Sequence, residues 1–462
     1  MPPKFGTSGL RGLVTELTPG LVAAHVRAFI RACDTGGRLM LGRDLRSSSP
    51  AIAAVVAEAA LAAGLEVADC GEVPTPALAL AAAGADASAI MVTGSHIPDD
   101  RNGLKFYRRG GEEITKPDET AVIAALGNGD LSVAARPALT DRGAACAATY
   151  AARYLDAFGP GALGGLRLGL YQHSSVARDL MEGILTELGA EVTPLGRAGG
   201  FIPVDTEAVD DATRSRLADW AGQGFDAILS TDGDADRPLM TDAAGTVVPG
   251  DLLGLLAARR LGARVVVTPV SSSTALEASG AFGQVIRTRI GSPHVIAGIE
   301  SARAEDPAAQ VVGFEANGGF LLGFEARLAG GALSPLVTRD AVLPVLAVLL
   351  AMRESGRPLR AMLDALPPRH TAADRLQGVD MARAAALIAG LTADPAARRD
   401  FFGHSETGID LTDGLRLTFG PEIVHLRPSG NAPELRVYVE SDSPGRSARL
   451  LADTLERLRH AL

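Results

Sequence analysis

Along the first part of the chain, apolar and polar positions follow two alternating rhythms. Thr18-Pro19 has the chemistry of a helix start, a hydroxyl for the N-cap and a proline for the first turn, and Leu21, Ala24 and Ile30 carry an amphipathic helix towards Gly36-Gly37. Arg38 to Gly42 then reads as a short strand. Ser49-Pro50 repeats the cap, an apolar helix runs to Gly64, and Glu66 to Cys70 returns to strand, a βαβ pattern. Ala89 to Thr93 is continuously apolar, as in a strand covered on both faces, and it delivers Gly94-Ser95-His96 to a loop. A second block has predicted strands at Leu166 to Tyr171, Glu191 to Leu195 and Ala227 to Thr231. A third has them at Arg264 to Thr268, Gln284 to Thr288 and Gln310 to Phe314, followed by a helix from about Thr338 to Met352. Beyond Pro367-Pro368 the strands come close together, at Gly414 to Phe419, Ile423 to Arg427 and Leu435 to Glu440, before a helix from about Pro444. The pattern predicts three tandem α/β domains and a C-terminal α+β domain, spanning 1–140, 141–250, 251–366 and 367–462.

Composition narrows the class. A chain of 462 residues exceeds one compact core by the usual size of roughly 150 residues per domain. Its net charge of −10 offers no basic surface for nucleic acid, and 47% apolar with 21% charged residues excludes disorder. The apolar run Ala341 to Met352, interrupted by Pro344, is shorter than the 18 or so residues of a membrane span. The opening Met1-Pro-Pro-Lys-Phe-Gly-Thr7 has no apolar signal region, so the expected location is cytoplasmic. Cys33, Cys70 and Cys146 lie in apolar surroundings without metal or redox spacing and read as buried thiols. Lysine occurs only at Lys4, Lys105 and Lys116, against arginine everywhere else. Such a chain keeps a lysine where a titratable amine is needed, because guanidinium does not deprotonate.

The most informative segment is Thr231-Asp-Gly-Asp-Ala-Asp-Arg237, which follows an apolar strand. Asp232, Asp234 and Asp236 alternate with small residues, so three carboxylates can converge on one hard cation, and Arg237 adds a fork-shaped phosphate donor. A solvated acidic turn is the plain alternative, and a calcium loop of the EF-hand kind lacks its glycine and closing glutamate. Thr93-Gly-Ser-His-Ile-Pro98 exposes a hydroxyl beside an imidazole; Ser95 is a candidate nucleophile or phosphoryl carrier, and no Gly-x-Ser-x-Gly elbow accompanies it. Phe5-Gly-Thr-Ser-Gly-Leu-Arg-Gly12 and Arg427-Pro-Ser-Gly-Asn431 are small-residue turns with an arginine, each able to present backbone N–H groups to an anion.

Taken in this order, the segments resemble the loops of the α-D-phosphohexomutase superfamily, the phosphomannomutases and phosphoglucomutases, over essentially the whole chain. The resemblance implies Ser95 as the phosphorylated residue and a metal ligand, with Asp232, Asp234 and Asp236 completing an Mg²⁺ site. It implies Lys105 in proton transfer, with His96 the next candidate, and Arg11 beside the reacting phosphoryl group. It makes Glu315-Ala-Asn-Gly-Gly319 the sugar loop, with Glu315 and Asn317 on the substrate, and assigns the non-reacting phosphate to Arg427, Ser429, Gly430 and Asn431, while Arg237 steadies phosphoryl oxygens. Arg287 to His294 resembles the family's specificity loop, near substrate. Ile97, Asn317, Gly319 and Asn431 depart from the residues frequent in the family, which bears on substrate choice more than on reaction type.

The implied architecture sets mixed sheets around a central cleft fed by one loop from each domain. The implied reaction is that of a phosphomannomutase, active on mannose phosphates, with glucose phosphates as further candidates, by way of a hexose 1,6-bisphosphate. Its partners would be small sugar phosphates, with neither nucleic acid nor membrane, in a monomer or homodimer. The alternatives are a phosphoglucosamine mutase, a metal-dependent sugar phosphatase, which would release free phosphate, and a non-catalytic sugar-phosphate binder, which would have no need of Ser95, Lys105 or the carboxylates.

Overall fold

The computed structural model describes residues 3–6, 9–127, 137–429 and 433–462. The first sheet has seven strands in the order Lys4–Phe5, Leu10–Leu13, Arg101–Tyr107, Ser88–Val92, Arg38–Arg43, Glu66–Glu72 and Leu139–Asp141. Its centre is parallel, Arg38–Arg43 lying between Glu66–Glu72 and Ser88–Val92, while Arg101–Tyr107 runs antiparallel to both of its neighbours. The second sheet orders Pro238–Met240, Ala227–Thr231, Arg167–Tyr171 and Glu191–Leu195; the third orders Gln284–Thr288, Val265–Pro269, Val311–Phe314, Phe320–Leu322 and Leu336–Asp340. The C-terminal sheet is antiparallel throughout, from His370–Gln377 through Glu434–Ser441, Glu422–Pro428 and Leu415–Phe419 to Gly408–Asp410. Three mixed sheets followed by a C-terminal α+β unit agree with the predicted fold class, and Ala326–Arg327 pairs with Ala332–Leu333 as a further two-stranded sheet.

One apolar cluster runs from Met40 and Leu78 through Leu170, Leu256 and Phe314 to Leu346 and Leu366, so the first three sheets share a continuous core, whereas the C-terminal sheet has its own around Leu417, Val424 and Val437. The helix Val342–Ser355 is buried on almost every side at the centre of the larger cluster, which is why its sequence shows no polar face.

Two predicted helix starts shift. Ser49 is not the cap but the first helical residue of Ser49–Ala62, and its hydroxyl is bonded to Asp44 at 2.5 Å instead. Thr338 does not open a helix: Leu336–Asp340 is the edge strand of the third sheet, and the helix begins at Val342, whose N–H, with that of Leu343, is accepted by Asp340 at 2.8 and 3.3 Å. The strand Arg101–Tyr107 was not expected, because Arg101, Asn102, Gly103 and Lys105 interrupt any apolar alternation. All three cysteines are buried and free, as predicted.

Candidate active site

Ser95 sits just beyond Ser88–Val92, 1% exposed, with its backbone in the left-handed region at φ +53. A serine there is strained by about 1 to 2 kcal/mol, and such a conformation persists only where the surroundings over-determine it. Arg46 does so. Fully buried, it donates to the carbonyls of Ser95 (2.9 Å), Ile97 (2.6 Å), Pro98 (2.8 Å) and Arg101 (3.1 Å), while its Nε pairs with Asp44 at 3.1 Å. Asp44 in turn accepts from the Thr93 hydroxyl (2.8 Å) and the Gly94 N–H (3.2 Å), and Thr93 Oγ accepts from the Ser95 N–H at 2.8 Å. Gly94 is required here, since a Cβ would stand 2.6 Å from the Arg46 guanidinium carbon. This grip was absent from the sequence reading; its only trace is Gly42-Arg-Asp-Leu-Arg46 at the end of a strand.

The Ser95 hydroxyl donates to Asp232 at 2.5 Å, across 137 residues of sequence. Asp232, Asp234 and Asp236 are all fully buried at the end of Ala227–Thr231, each with a carboxylate oxygen within 4.8 Å of the others. Alternation along Arg101–Tyr107 sends Leu104 and Phe106 into the apolar core and turns Lys105 the other way. Its ammonium meets Asp234 and Asp236 at 2.5 Å each. Thr75, at the start of the helix Thr75–Ala85, donates its hydroxyl to Asp234 at 2.6 Å. Asp234 Oδ1 and Asp236 Oδ1 have no hydrogen-bond partner among the described residues. Two buried carboxylate oxygens without partners, beside a third carboxylate and a hydroxyl, form the oxygen-rich donor set a hard divalent cation takes. The residues therefore fit a metal ion.

Electrostatics separate the carboxylates. Burial, with Asp234 and Asp236 alongside, pushes Asp232 well above the usual carboxylate range. Burial also penalises Asp236, but Arg339, Lys105 and Arg237 outweigh it and hold its carboxyl well below that range. Arg11, on Leu10–Leu13, is drawn down to about 10 by burial and by the nearby Arg237 and Arg339, and so remains a cation at neutral pH. Arg237 Nε lies 3.7 Å from Asp236 and makes no hydrogen bond among the described residues, which leaves a buried donor beside the acidic loop. His96 Nδ1 is 3.3 Å from the Ser95 hydroxyl, and burial next to Arg237 and Arg11 depresses its pKa far below the usual imidazole range. It is neutral and a poor base, which favours Lys105 over His96 for proton transfer.

Glu315, buried after Val311–Phe314, reaches Arg339 at 3.4 Å, and Arg339 reaches Asp236 at 2.7 Å; the sugar-loop candidate is thus joined to the acidic loop. Asn317 spends its side-chain oxygen on the Gly319 N–H at 3.0 Å and its carbonyl on the Thr206 hydroxyl at 3.1 Å. Arg427, in the C-terminal sheet, pairs with Asp413 at 2.7 Å, and Asp413 also accepts the Ile290 N–H at 3.0 Å while Arg289 donates to the Thr412 carbonyl at 3.1 Å. The segment 287–294 therefore docks on the C-terminal domain beside the expected phosphate loop. Ser429 is buried, and its N–H donates to the Glu434 carbonyl at 2.8 Å. Gly430 and Asn431 lie outside the described residues.

Comparison with known proteins decides the family. Models described as phosphoglucomutase/phosphomannomutase alpha/beta/alpha domain I, alpha/beta/alpha domain III and C-terminal domain match residues 2–132, 249–370 and 388–457. A phosphomannomutase of Sinorhizobium fredii is 46% identical over 100% of both chains. The chain belongs to the α-D-phosphohexomutase superfamily. A phosphoglucosamine mutase of Acidothermus cellulolyticus, a more distant member, is 31% identical over 99% of this chain and 95% of its own. A solved phosphoglucomutase/phosphomannomutase family protein from Burkholderia thailandensis shares the fold, with a TM-score of 0.77, 22% identity and coverage of 98% of this chain and 97% of that one. Among the described residues no helix is long and apolar enough to cross a membrane.

Proposed function

We propose that this phosphohexomutase is a phosphomannomutase, interconverting mannose 6-phosphate and mannose 1-phosphate through a phosphorylated Ser95 and a hexose 1,6-bisphosphate, with glucose phosphates as further substrates. The observation that carries the reading is the Ser95 hydroxyl at 2.5 Å from Asp232, in a left-handed backbone fixed by Arg46, beside two carboxylates with unpartnered oxygens. The mannose assignment is supported by the higher identity to the Sinorhizobium phosphomannomutase than to the Acidothermus phosphoglucosamine mutase.

Asp232, Asp234 and Asp236, with Ser95, would hold Mg²⁺. When bound, the ion supplies charge neutralisation to the phosphoryl group. In the forward step the bond from phosphorus to Ser95 Oγ breaks and one to the free sugar hydroxyl forms. The proton lost by that hydroxyl ends on Ser95, and Lys105 is the group that carries it: its ammonium gives a proton to the departing serine oxygen and its amine recovers one from the sugar. Arg11 and Arg237 hold the phosphoryl oxygens, and their fixed charges need no reorganisation as the transition state forms. Glu315 accepts from sugar hydroxyls with Asn317 beside it, and Arg427, Ser429, Gly430 and Asn431 hold the other phosphate. The bisphosphate turns over and returns a phosphoryl group to Ser95. Each loop comes from one of the units 1–140, 141–250, 251–366 and 367–462, and their convergence excludes water from the transfer. Incubating the protein with the 1-phosphates of mannose, glucose and glucosamine tests the reading: the 6-phosphate of mannose should form fastest. Preference for glucosamine would make it a phosphoglucosamine mutase, and accumulation of free phosphate a phosphatase.

A further inference from the structure

The acidic loop and the sugar loop come from different sheets, yet their backbones approach closely at glycine positions. A Cβ on Gly250 would lie 2.3 Å from the Gly318 nitrogen, and one on Gly318 would lie 2.8 Å from Pro238. A Cβ on Gly319 would meet the Arg339 stem at 2.9 Å and the Asp236 carbonyl at 3.0 Å. Arg339 threads through this seam from the end of Leu336–Asp340, 4% exposed, with one end of its guanidinium on Asp236 at 2.7 Å and the other on Glu315 at 3.4 Å. Its neighbour Asp340 is held by the hydroxyl of Tyr150 at 2.7 Å and by that of Tyr154, both from the helix Gly143–Phe158. Arg339 is therefore anchored from behind and divided between two loops in front.

We propose that Arg339 is a positioning residue that fixes the Glu315 carboxylate against the acidic loop, so that sugar hydroxyls are presented at a set distance from Ser95. The proposal rests on Glu315 binding sugar. Arg339 itself does not touch the substrate; it acts through Glu315 on one side and Asp236 on the other. A planar guanidinium can serve two carboxylates at once in a fixed geometry, which an ammonium does not reproduce.

The test is a double-mutant cycle on Ser95→Ala protein, which binds substrate without turnover, read by calorimetric titration with mannose 1-phosphate and, separately, with Mn²⁺ alone. Glu315→Gln and Arg339→Met should each weaken sugar-phosphate binding about 10-fold or more, and the combination should lose no more than the worse single change, since residues acting through one contact are not additive. Mn²⁺ affinity should change with Arg339→Met, which alters the charge on Asp236, and stay unchanged with Glu315→Gln, a split that general loosening of the fold would not give. Arg339→Lys should recover less than half of the loss in sugar-phosphate binding. Losses that multiply in the double variant, or full recovery by lysine, would overturn the proposal. Should Arg339→Met fail to fold, Arg339→Gln carries the same cycle with the same criteria. Failure of the Ser95→Ala parent to bind mannose 1-phosphate while it binds another hexose 1-phosphate would refute the mannose assignment, and the cycle run with that sugar would still decide the role of Arg339.

Discussion

Replacing Lys105 by methionine separates two jobs that the structure gives to one side chain. The ammonium is 2% exposed and lies 2.5 Å from both Asp234 and Asp236. Without it, the two buried carboxylates keep, among the described residues, the Thr75 hydroxyl, the Arg339 guanidinium and the more distant Arg237 at 3.7 Å. Removing one partner of a buried ion pair costs about 3–5 kcal/mol. The repulsion alone is of that order: two unit charges about 5 Å apart, at an effective dielectric constant of 20, repel by about 3 kcal/mol. A divalent cation neutralises the same carboxylates, and a ligand present at a hundred times its Kd adds about 2.7 kcal/mol. Urea unfolding of Lys105→Met in chelator should therefore show a loss of about 3 kcal/mol relative to wild type, and Mg²⁺ should return most of it. Turnover should not return, because the proton-transfer group is gone, and should stay about 10² to 10⁴ below wild type in kcat at saturating Mg²⁺. Near-native turnover with Mg²⁺, or a stability loss below about 1 kcal/mol, would refute the reasoning.

Lys105→Arg keeps the cation but not the titratable amine, so kcat should fall about 10²- to 10⁴-fold with a modest change in KM; a raised KM at unchanged kcat would show that Lys105 only binds phosphate. Chelation should abolish activity reversibly, and Asp234→Asn should lower metal affinity and turnover together; full activity in metal-free buffer would remove the three aspartates from the chemistry. Buried His173 is pushed down to about 4 by desolvation. A base harder to protonate in the folded than in the unfolded chain leaves stability complete above about pH 6.5 and lost as pH falls towards 4, on the order of 3 kcal/mol. The urea midpoint of wild type should therefore decline more steeply over this range than that of His173→Gln, and parallel profiles would contradict it.

The parts of the site that could be read in the sequence are those whose chemistry is local. Asp232, Asp234 and Asp236 are spaced within one loop after one strand, and Ser95 follows a strand apolar enough to recognise alone. Lys105 stood out because lysine is rare here. Arg46, Thr75 and Arg339 did not stand out, since each matters through distant partners: Arg46 through carbonyls 49 to 55 residues away, Thr75 through Asp234 at a separation of 159, and Arg339 through Glu315, 24 residues earlier. In a chain rich in arginine, nothing local distinguishes a buried guanidinium from a solvated one. The strand bearing Lys105 was missed for the related reason that its polar residues are buried against the acidic loop, where tertiary contacts override the alternating pattern. The late start of the helix at Val342 follows from apolar continuity across a strand and a helix buried in one core, which periodicity alone does not divide.

The central claim is that Ser95 carries the transferred phosphoryl group, and the most direct measurement is mass analysis of the Ser95 peptide before and after exposure to a hexose 1,6-bisphosphate, alongside turnover of mannose 1-phosphate. The account predicts one phosphoryl group on Ser95, transferable to mannose 1-phosphate to give bisphosphate, and no mutase activity in Ser95→Ala. An unmodified Ser95 in fully active protein, or an alanine variant that still isomerises mannose 1-phosphate at the wild-type rate, would contradict it.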